Sequence, residues 1–405
     1  MEYNSKTFCA APWFQIRKEN NNNYRPCCQL DINQTQFDQT VDYSWPETSP
    51  DEYLNSQYLQ YLRYNLNQGV KLPECRRCWR QESLSKQSVR QIINDTVTGN
   101  QEQNLDKTWI YSYFKQKNNF EFDYLISADI KVSNLCNFSC SMCNPEDSSQ
   151  IYSIWKKNQT HKIVRTFLNT QPDYLDDVKK RFSESDYEYL DTILDLCPKH
   201  VKLLGGEPLI DKALLERLVK LDPLKQSKIS LLFVTNGSVD LTKFAKLLPG
   251  YKQINYVVSV DGVDSVQDYI RRGSDWKRIE QNILAWNKNN RPVDIAFTLQ
   301  CFNAMSFPEL YRWCRDHGMK FTMGMVESPE YLSIRSIPPE LRDKIFAKYK
   351  STDYWTDVEI QNFTQLITSQ PYDPALKSTL TQFVNWYDPS NLWKDIFPEW
   401  ADFLV

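Results

Sequence analysis

Six short β-type runs, at residues 125–132, 201–204, 229–234, 254–260, 293–299 and 320–326, constrain the fold of this chain more than any other feature. Helical stretches at 211–221, 241–248 and 276–288 fall between them. From the second run onward the repeat is roughly 25–40 residues, about one βα unit each. Several runs are apolar with little alternation, as strands covered on both faces are. Strands and helices in this order predict an α/β fold, an open, partial (β/α)6 TIM-like barrel. Parallel α/β folds place their chemistry at the C-terminal ends of the strands.

The 405 residues exceed one small core, so further regions flank the barrel. Residues 1–105 read as a small N-terminal domain, polar and rich in Asn and Gln, with a helical stretch at 53–68. Within it, Glu-Asn-Asn-Asn-Asn-Tyr at 19–24 reads as a turn between two short strands, since Asn tolerates left-handed backbone. Residues 106–330 hold the barrel, with a charged helical insertion at about 144–200 that lines or lids the site. Residues 331–405 open with Pro338-Pro339 and continue as aromatic-rich amphipathic helices. A net charge of −3 excludes a global electrostatic pull toward nucleic acid. No apolar run reaches the length of a membrane span, and the first residues lack the pattern of a secretory signal. These features predict a cytoplasmic protein, where clustered cysteines point to metal rather than to disulfides.

Cys136, Cys140 and Cys143 follow the first run in a C-x3-C-x2-C spacing. Three thiolates this close wrap one corner of a metal cluster and leave one metal position open. A structural zinc site calls for a fourth ligand, and no His or Cys follows Cys143 until His161. A zinc loop or a chance spacing are the alternatives at this point. The second run ends in Leu-Leu-Gly-Gly-Glu-Pro-Leu at 203–209, where Gly205 and Gly206 let a ligand approach the backbone and Glu207 offers a carboxylate to a cation. The third ends in Val-Thr-Asn-Gly at 234–237, and the fourth in Ser-Val-Asp-Gly at 259–262, followed by Tyr-Ile-Arg-Arg-Gly at 269–273. Taken singly, each is a common turn or a solvated face. Their order, at successive strand ends, is not explained that way. Cys197, Cys301 and Cys314 default to small buried hydrophobes, although Cys301 at the end of the fifth run also reads as a substrate-facing thiol. His161, His200 and His317 read as structural or surface residues.

Over residues 125–326 these motifs together resemble the radical SAM (S-adenosylmethionine) enzymes. The resemblance implies a [4Fe–4S] cluster on Cys136, Cys140 and Cys143, its fourth iron chelated by the amino and carboxylate groups of SAM. By matching position, Gly205, Gly206 and Glu207 would hold the SAM ammonium. Ser259 and Arg271 would bind its carboxylate and ribose, with Asn236 assisting. Arg271 is preferred over Arg272, because relatives carry a single Arg after the Tyr-Ile pair. Met142 stands where many relatives have an aromatic near adenine, and fills that space. The implied chemistry is reductive cleavage of SAM to a 5′-deoxyadenosyl radical, which abstracts a hydrogen atom from the substrate. A low-potential electron donor such as flavodoxin or ferredoxin is implied as a partner.

Cys9, Cys27, Cys75 and Cys78 resemble the auxiliary-cluster module called Twitch, a shortened SPASM module, and imply a second [4Fe–4S] cluster; structural zinc is the alternative. Two departures stand out. The module precedes the barrel instead of following it, and Asn22 replaces the usual Gly before the second Cys. Cys27 fits the usual spacing better than Cys28. A closed four-thiolate cluster suits a net two-electron oxidation, such as cross-linking or dehydrogenation of a peptide or protein side chain. Alternatives are a nucleotide, nucleic acid or small metabolite as substrate, or a non-catalytic metal-binding protein. No winged peptide-binding module is apparent in the first hundred residues. Trp386, Tyr387, Trp393, Phe397 and Trp400 either cap the barrel mouth or form an aromatic layer packed on the barrel.

Overall fold

The computed structural model describes residues 6–19, 22–38, 42–83, 87–98, 125–181, 184–288 and 293–404. The expected boundary at residue 105 and part of the turn at 19–24 lie outside them. All six expected runs are strands: β3 (Ser127–Lys131), β4 (His200–Leu204), β5 (Ser230–Thr235), β6 (Gln253–Ser259), β7 (Asp294–Leu299) and β8 (Lys320–Met325). Each pairs in parallel with the next in sequence order. The sheet is larger than the six strands expected. β1 (Gln15–Lys18) adds in parallel to β3, placing Ile16 against Ala128, and β2 (Tyr24–Arg25) adds antiparallel to β1. The order among the described residues is therefore β2-β1-β3-β4-β5-β6-β7-β8. Asn22, between β1 and β2, takes a φ of 63°, the left-handed conformation the Asn run permits.

The strands alternate in burial more cleanly than their apolar sequences suggest. On β6 and β7, Ile254, Tyr256, Val258, Ile295, Phe297 and Leu299 are buried against the outer helices. Tyr256 meets Trp286 edge-on at 4.7 Å, and Phe297 stacks on Phe307 at 4.9 Å. The inward-facing Asn255, Val257, Ser259, Ala296 and Thr298 are only half-buried. Further along the sheet, Asp129 on β3 meets Arg17 of β1 at 3.5 Å and Lys202 of β4 at 3.8 Å. The sheet is thus dry on its helix side and partly open and polar within. The expectation of strands covered on both faces fails because a partial barrel leaves its lumen open to solvent.

One continuous apolar cluster runs from Cys9 through the barrel to Leu404. Phe397 and Trp400 pack on Phe302 at 5.1 and 5.4 Å, and Phe397 also meets Tyr269 at 5.2 Å. Burying a side chain of that size contributes about 2–3 kcal/mol. Trp393, Phe397 and Trp400 are therefore the packed aromatic layer of the two readings. Among the described residues no helix is long and apolar enough to cross a membrane.

Candidate functional site

The cysteine loop leaves the end of β3 and is clamped from three sides. The first clamp is the loop after β4. Gly206 N–H donates to Ser133 O at 3.0 Å, and Glu207 N–H to Leu135 O at 2.7 Å. A Cβ on Gly205 would lie 2.5 Å from Ser133 O, and one on Gly206 would lie 2.3 Å from Leu135 O. The two glycines therefore make room for the cysteine loop. The Gly206 amide is also spent on that loop, so an ammonium would meet these glycines through their carbonyl oxygens. The second clamp is the C-terminal end of helix Asp264–Ile270, which follows β6: Ser139 N–H donates to Arg272 O at 2.9 Å and Ser141 N–H to Ile270 O at 2.8 Å. The third is the start of helix Ser149–Lys157. Its N-cap Ser148 donates to Phe138 O at 2.7 Å, and Ser149 Oγ accepts from Cys136 N–H at 3.1 Å.

Cys136 and Cys140 are buried and Cys143 half-buried. Burial pushes all three thiols up, Cys140 to about 12; Cys140 and Cys143 also feel the charge of Cys136, and Cys136 that of Glu207. Among the described residues no three His, Cys, Asp or Glu groups converge on a single ion position. Thiolates of a cluster each bind their own iron, so the three need only face one another across it.

Glu207 is a latch between strand ends. Its carboxylate accepts from Asn236 N–H at 2.5 Å, Thr235 Oγ1 at 2.7 Å and Leu209 N–H at 3.1 Å. Burial raises its carboxyl to about 7 against those three donors. A carboxylate has room for about four hydrogen bonds, so one acceptor direction remains for a cation. The side chain of Asn236 reaches back to Asn137 in the cysteine loop at 2.9 Å. Ser259 ends β6 half-buried on the inner face, in register with Ala296.

Arg271 and Arg272 part company. Arg271 is half-buried, its Nε 2.7 Å from Asp261 Oδ2 and its Nη1 4.0 Å from Cys140 Sγ. Neither Nε nor Oδ2 makes an aligned hydrogen bond, so the contact is an ion pair with donor capacity to spare. Arg272 turns away, over the ring of Tyr387 at 3.8 Å. Sequence reasoning missed Asp261 and Thr235, although both stand inside the strand-end motifs. Their acid and hydroxyl, one residue from the assigned Asn236 or two from Ser259, were the available signal.

The thiols of Cys9, Cys27, Cys75 and Cys78 also gather. Cys27 and Cys75 each feel the charge of Cys9 and Cys78, and burial raises all four, Cys9 to about 12. Cys28 lies beside them as well. Arg90, paired with Glu82 at 2.8 Å, draws Cys9 and Cys78 back toward the thiolate.

The insertion and the C-terminal helix Leu376–Tyr387 meet beside the cysteine loop. Tyr387 Oη bonds Tyr269 O at 3.0 Å and Ser139 O at 3.2 Å. Met142, half-buried, faces the cleft between these helices, as do Trp386 and Tyr387. His161 stacks on Trp386 at 5.1 Å, and His317 bonds Trp313 O at 2.8 Å. Cys301 is buried, which does not suit a substrate-facing thiol.

The donor set fits the group the motifs imply: three soft thiols, a half-buried cation beside them, and a carboxylate with one free direction. Residues 130–314 match the model of the Radical SAM superfamily. GTP 3′,8-cyclase of Brucella canis is 31% identical over 226 residues, which cover 52% of this chain and 58% of that protein. The chain thus spans little more than half the length of the curated relatives it matches. Among solved structures, Streptococcus suis SuiB bound to S-adenosylmethionine is 16% identical with a TM-score of 0.34, covering 62% of this chain and 52% of that one. Native anSMEcpe with bound AdoMet is 17% identical with a TM-score of 0.38, covering 64% and 66%. Residues 130–314 of this chain are thus similar in sequence to the Radical SAM superfamily.

Proposed function

We propose that Cys136, Cys140 and Cys143 hold a [4Fe–4S] cluster at the end of β3 and that SAM completes it. The observation that carries this reading is the three-sided clamp on the cysteine loop. It brings Glu207, Asn236 and Arg271, three of the residues the motifs nominate, to one place. Bound there, the reduced cluster supplies the electron that cleaves SAM to a 5′-deoxyadenosyl radical, which takes a hydrogen atom from the substrate. Glu207 receives the SAM ammonium in its remaining acceptor direction, while Thr235 and Asn236 keep the carboxylate oriented. Arg271, held by Asp261, sets a positive charge beside Cys140 and toward the SAM carboxylate. Ser259 meets the ribose from the inner face, and Met142 packs near adenine. A flavodoxin or ferredoxin supplies the electron, and the protein works in the cytoplasm.

Residues 1–105 form a Twitch-like module in which Cys9, Cys27, Cys75 and Cys78 hold a second [4Fe–4S] cluster. Four gathered thiols support the closed form of that cluster, and with it a net oxidation of a peptide or protein side chain. A second reading, a nucleotide substrate, is favoured by the relatives named GTP 3′,8-cyclase. Iron counting after anaerobic reconstitution tests the module. About eight irons per chain are expected, falling to about four when Cys75 and Cys78 are both replaced by Ala. About four irons in both proteins contradicts it. Deuterium passing from a labelled candidate substrate into 5′-deoxyadenosine decides between peptide and nucleotide.

A further inference from the structure

A cleft of about 1040 Å³ opens beside the cysteine loop, and of the residues assigned to SAM Met142 alone lines it. Its floor is the 140–144 segment. Its walls are helices Ser149–Lys157 and Lys162–Thr170 of the insertion and helix Leu376–Tyr387 of the C-terminal region. Gly205, Glu207, Asn236 and Ser259 do not line it.

The aromatic walls are braced by their neighbours. Trp155 packs edge-on against Phe167 at 5.2 Å and lies 6.1 Å from Tyr174. Trp386 is held between His161 at 5.1 Å and Phe383 at 6.3 Å. Two cations, Lys162 and Arg272, face the space, and no carboxylate lines it. Arg272 donates to Tyr387 O with one of its nitrogens and keeps further donors. An apolar cavity with a few placed charges is the usual form of a small-ligand site. No glycine lines the cleft, so no glycine-rich phosphate loop forms its walls.

We propose that this cleft binds the molecule the enzyme acts on, through a single carboxylate borne on an aromatic or aliphatic body. Lys162 and Arg272 receive the carboxylate, and Trp155, Phe167 and Trp386 enclose the body. The proposal rests on the reading that Cys136, Cys140 and Cys143 hold the cluster, since only then does the cleft adjoin the chemistry.

Fluorescence titration of the full-length reconstituted protein tests it with naphthoate and its neutral isostere naphthamide. Naphthoate is expected to bind at least about threefold tighter, the scale of a partly exposed charge contact. Lys162→Gln should remove most of that preference, and Lys162 is exposed, so the variant keeps its fold. Trp155→Ala should weaken both probes. A short peptide presenting Trp beside Asp, run in parallel, assigns the carboxylate to a peptide if it displaces naphthoate and to a free small molecule if it does not. Equal binding of the two probes, an unchanged preference in Lys162→Gln, or displacement of naphthoate by SAM overturns the proposal. Naphthoate binding does not depend on SAM cleavage. A protein that releases 5′-deoxyadenosine but fails these titrations refutes the cleft alone, and one that passes them without cleaving SAM refutes the function alone.

Discussion

Gly206 and Glu207 carry adjacent but different duties. Gly206 exists so that one loop can lie on another. Gly206→Ala puts a methyl group 2.3 Å from Leu135 O and 2.6 Å from Asn134 O, backbone atoms that cannot swing aside. The variant should lose about 1–3 kcal/mol of stability and retain less iron after reconstitution, read by thermal unfolding and iron analysis. Unchanged values for both would contradict the clamp. Glu207 is a buried carboxyl whose value in the folded chain, about 7, lies above its ordinary value. Between the two values the unfolded chain releases its proton while the folded chain keeps it, so this group makes stability fall as pH rises from about 4.5 to 7. Denaturant unfolding of the metal-free protein should show that slope reduced in Glu207→Gln. An identical slope would mean that Glu207 is ionised throughout. The sequence showed that small residues and an acid were required here, but not which atoms come close. Gly-Gly reads equally well as room for a ligand or room for a loop, and only the contact distances show the loop.

At the scale of elements, apolar content governs what a sequence reveals. β3 to β8 were legible because their helix-facing residues are strongly apolar. The joining of β1 to the barrel was not, because Gln15, Arg17 and Lys18 give a short strand no apolar signature. The partners of β1 are instead polar. Lys18 Nζ, buried, meets Asp186 of helix Glu184–Asp195 at 2.6 Å and Asn22 Oδ1 at 2.9 Å. Asp186→Ala leaves a buried ammonium facing an amide, and should cost about 3–5 kcal/mol in chemical denaturation. Replacing Lys18 by Met together with Asp186 by Leu should recover most of the loss. A cost below about 1 kcal/mol for the single change would show that the pair is not what ties the insertion to β1. The strand-end motifs were legible as a set because each falls where a parallel strand stops. Asp261 and Thr235 were not singled out, because Arg271 lies beyond helix Asp264–Ile270 from Asp261 and Glu207 comes from another loop.

Across the whole molecule, N-terminal residues, barrel and C-terminal helices share one apolar core, and two sets of thiols are gathered within it. The C-terminal aromatics divide between two tasks. Trp393, Phe397 and Trp400 are buried, while Trp386 and Tyr387 wall the cleft beside the cysteine loop. An aromatic sequence alone does not separate these tasks, since both call for the same residue types. The central claim is that the clamped loop of Cys136, Cys140 and Cys143 cleaves SAM. The most direct test is the release of 5′-deoxyadenosine from SAM by the anaerobically reconstituted, dithionite-reduced full-length protein. Release by the wild type, and its loss to background in Cys140→Ala, is the predicted result. A wild-type protein that carries iron and sulfide yet yields no 5′-deoxyadenosine, or a Cys140→Ala protein that yields as much, contradicts it.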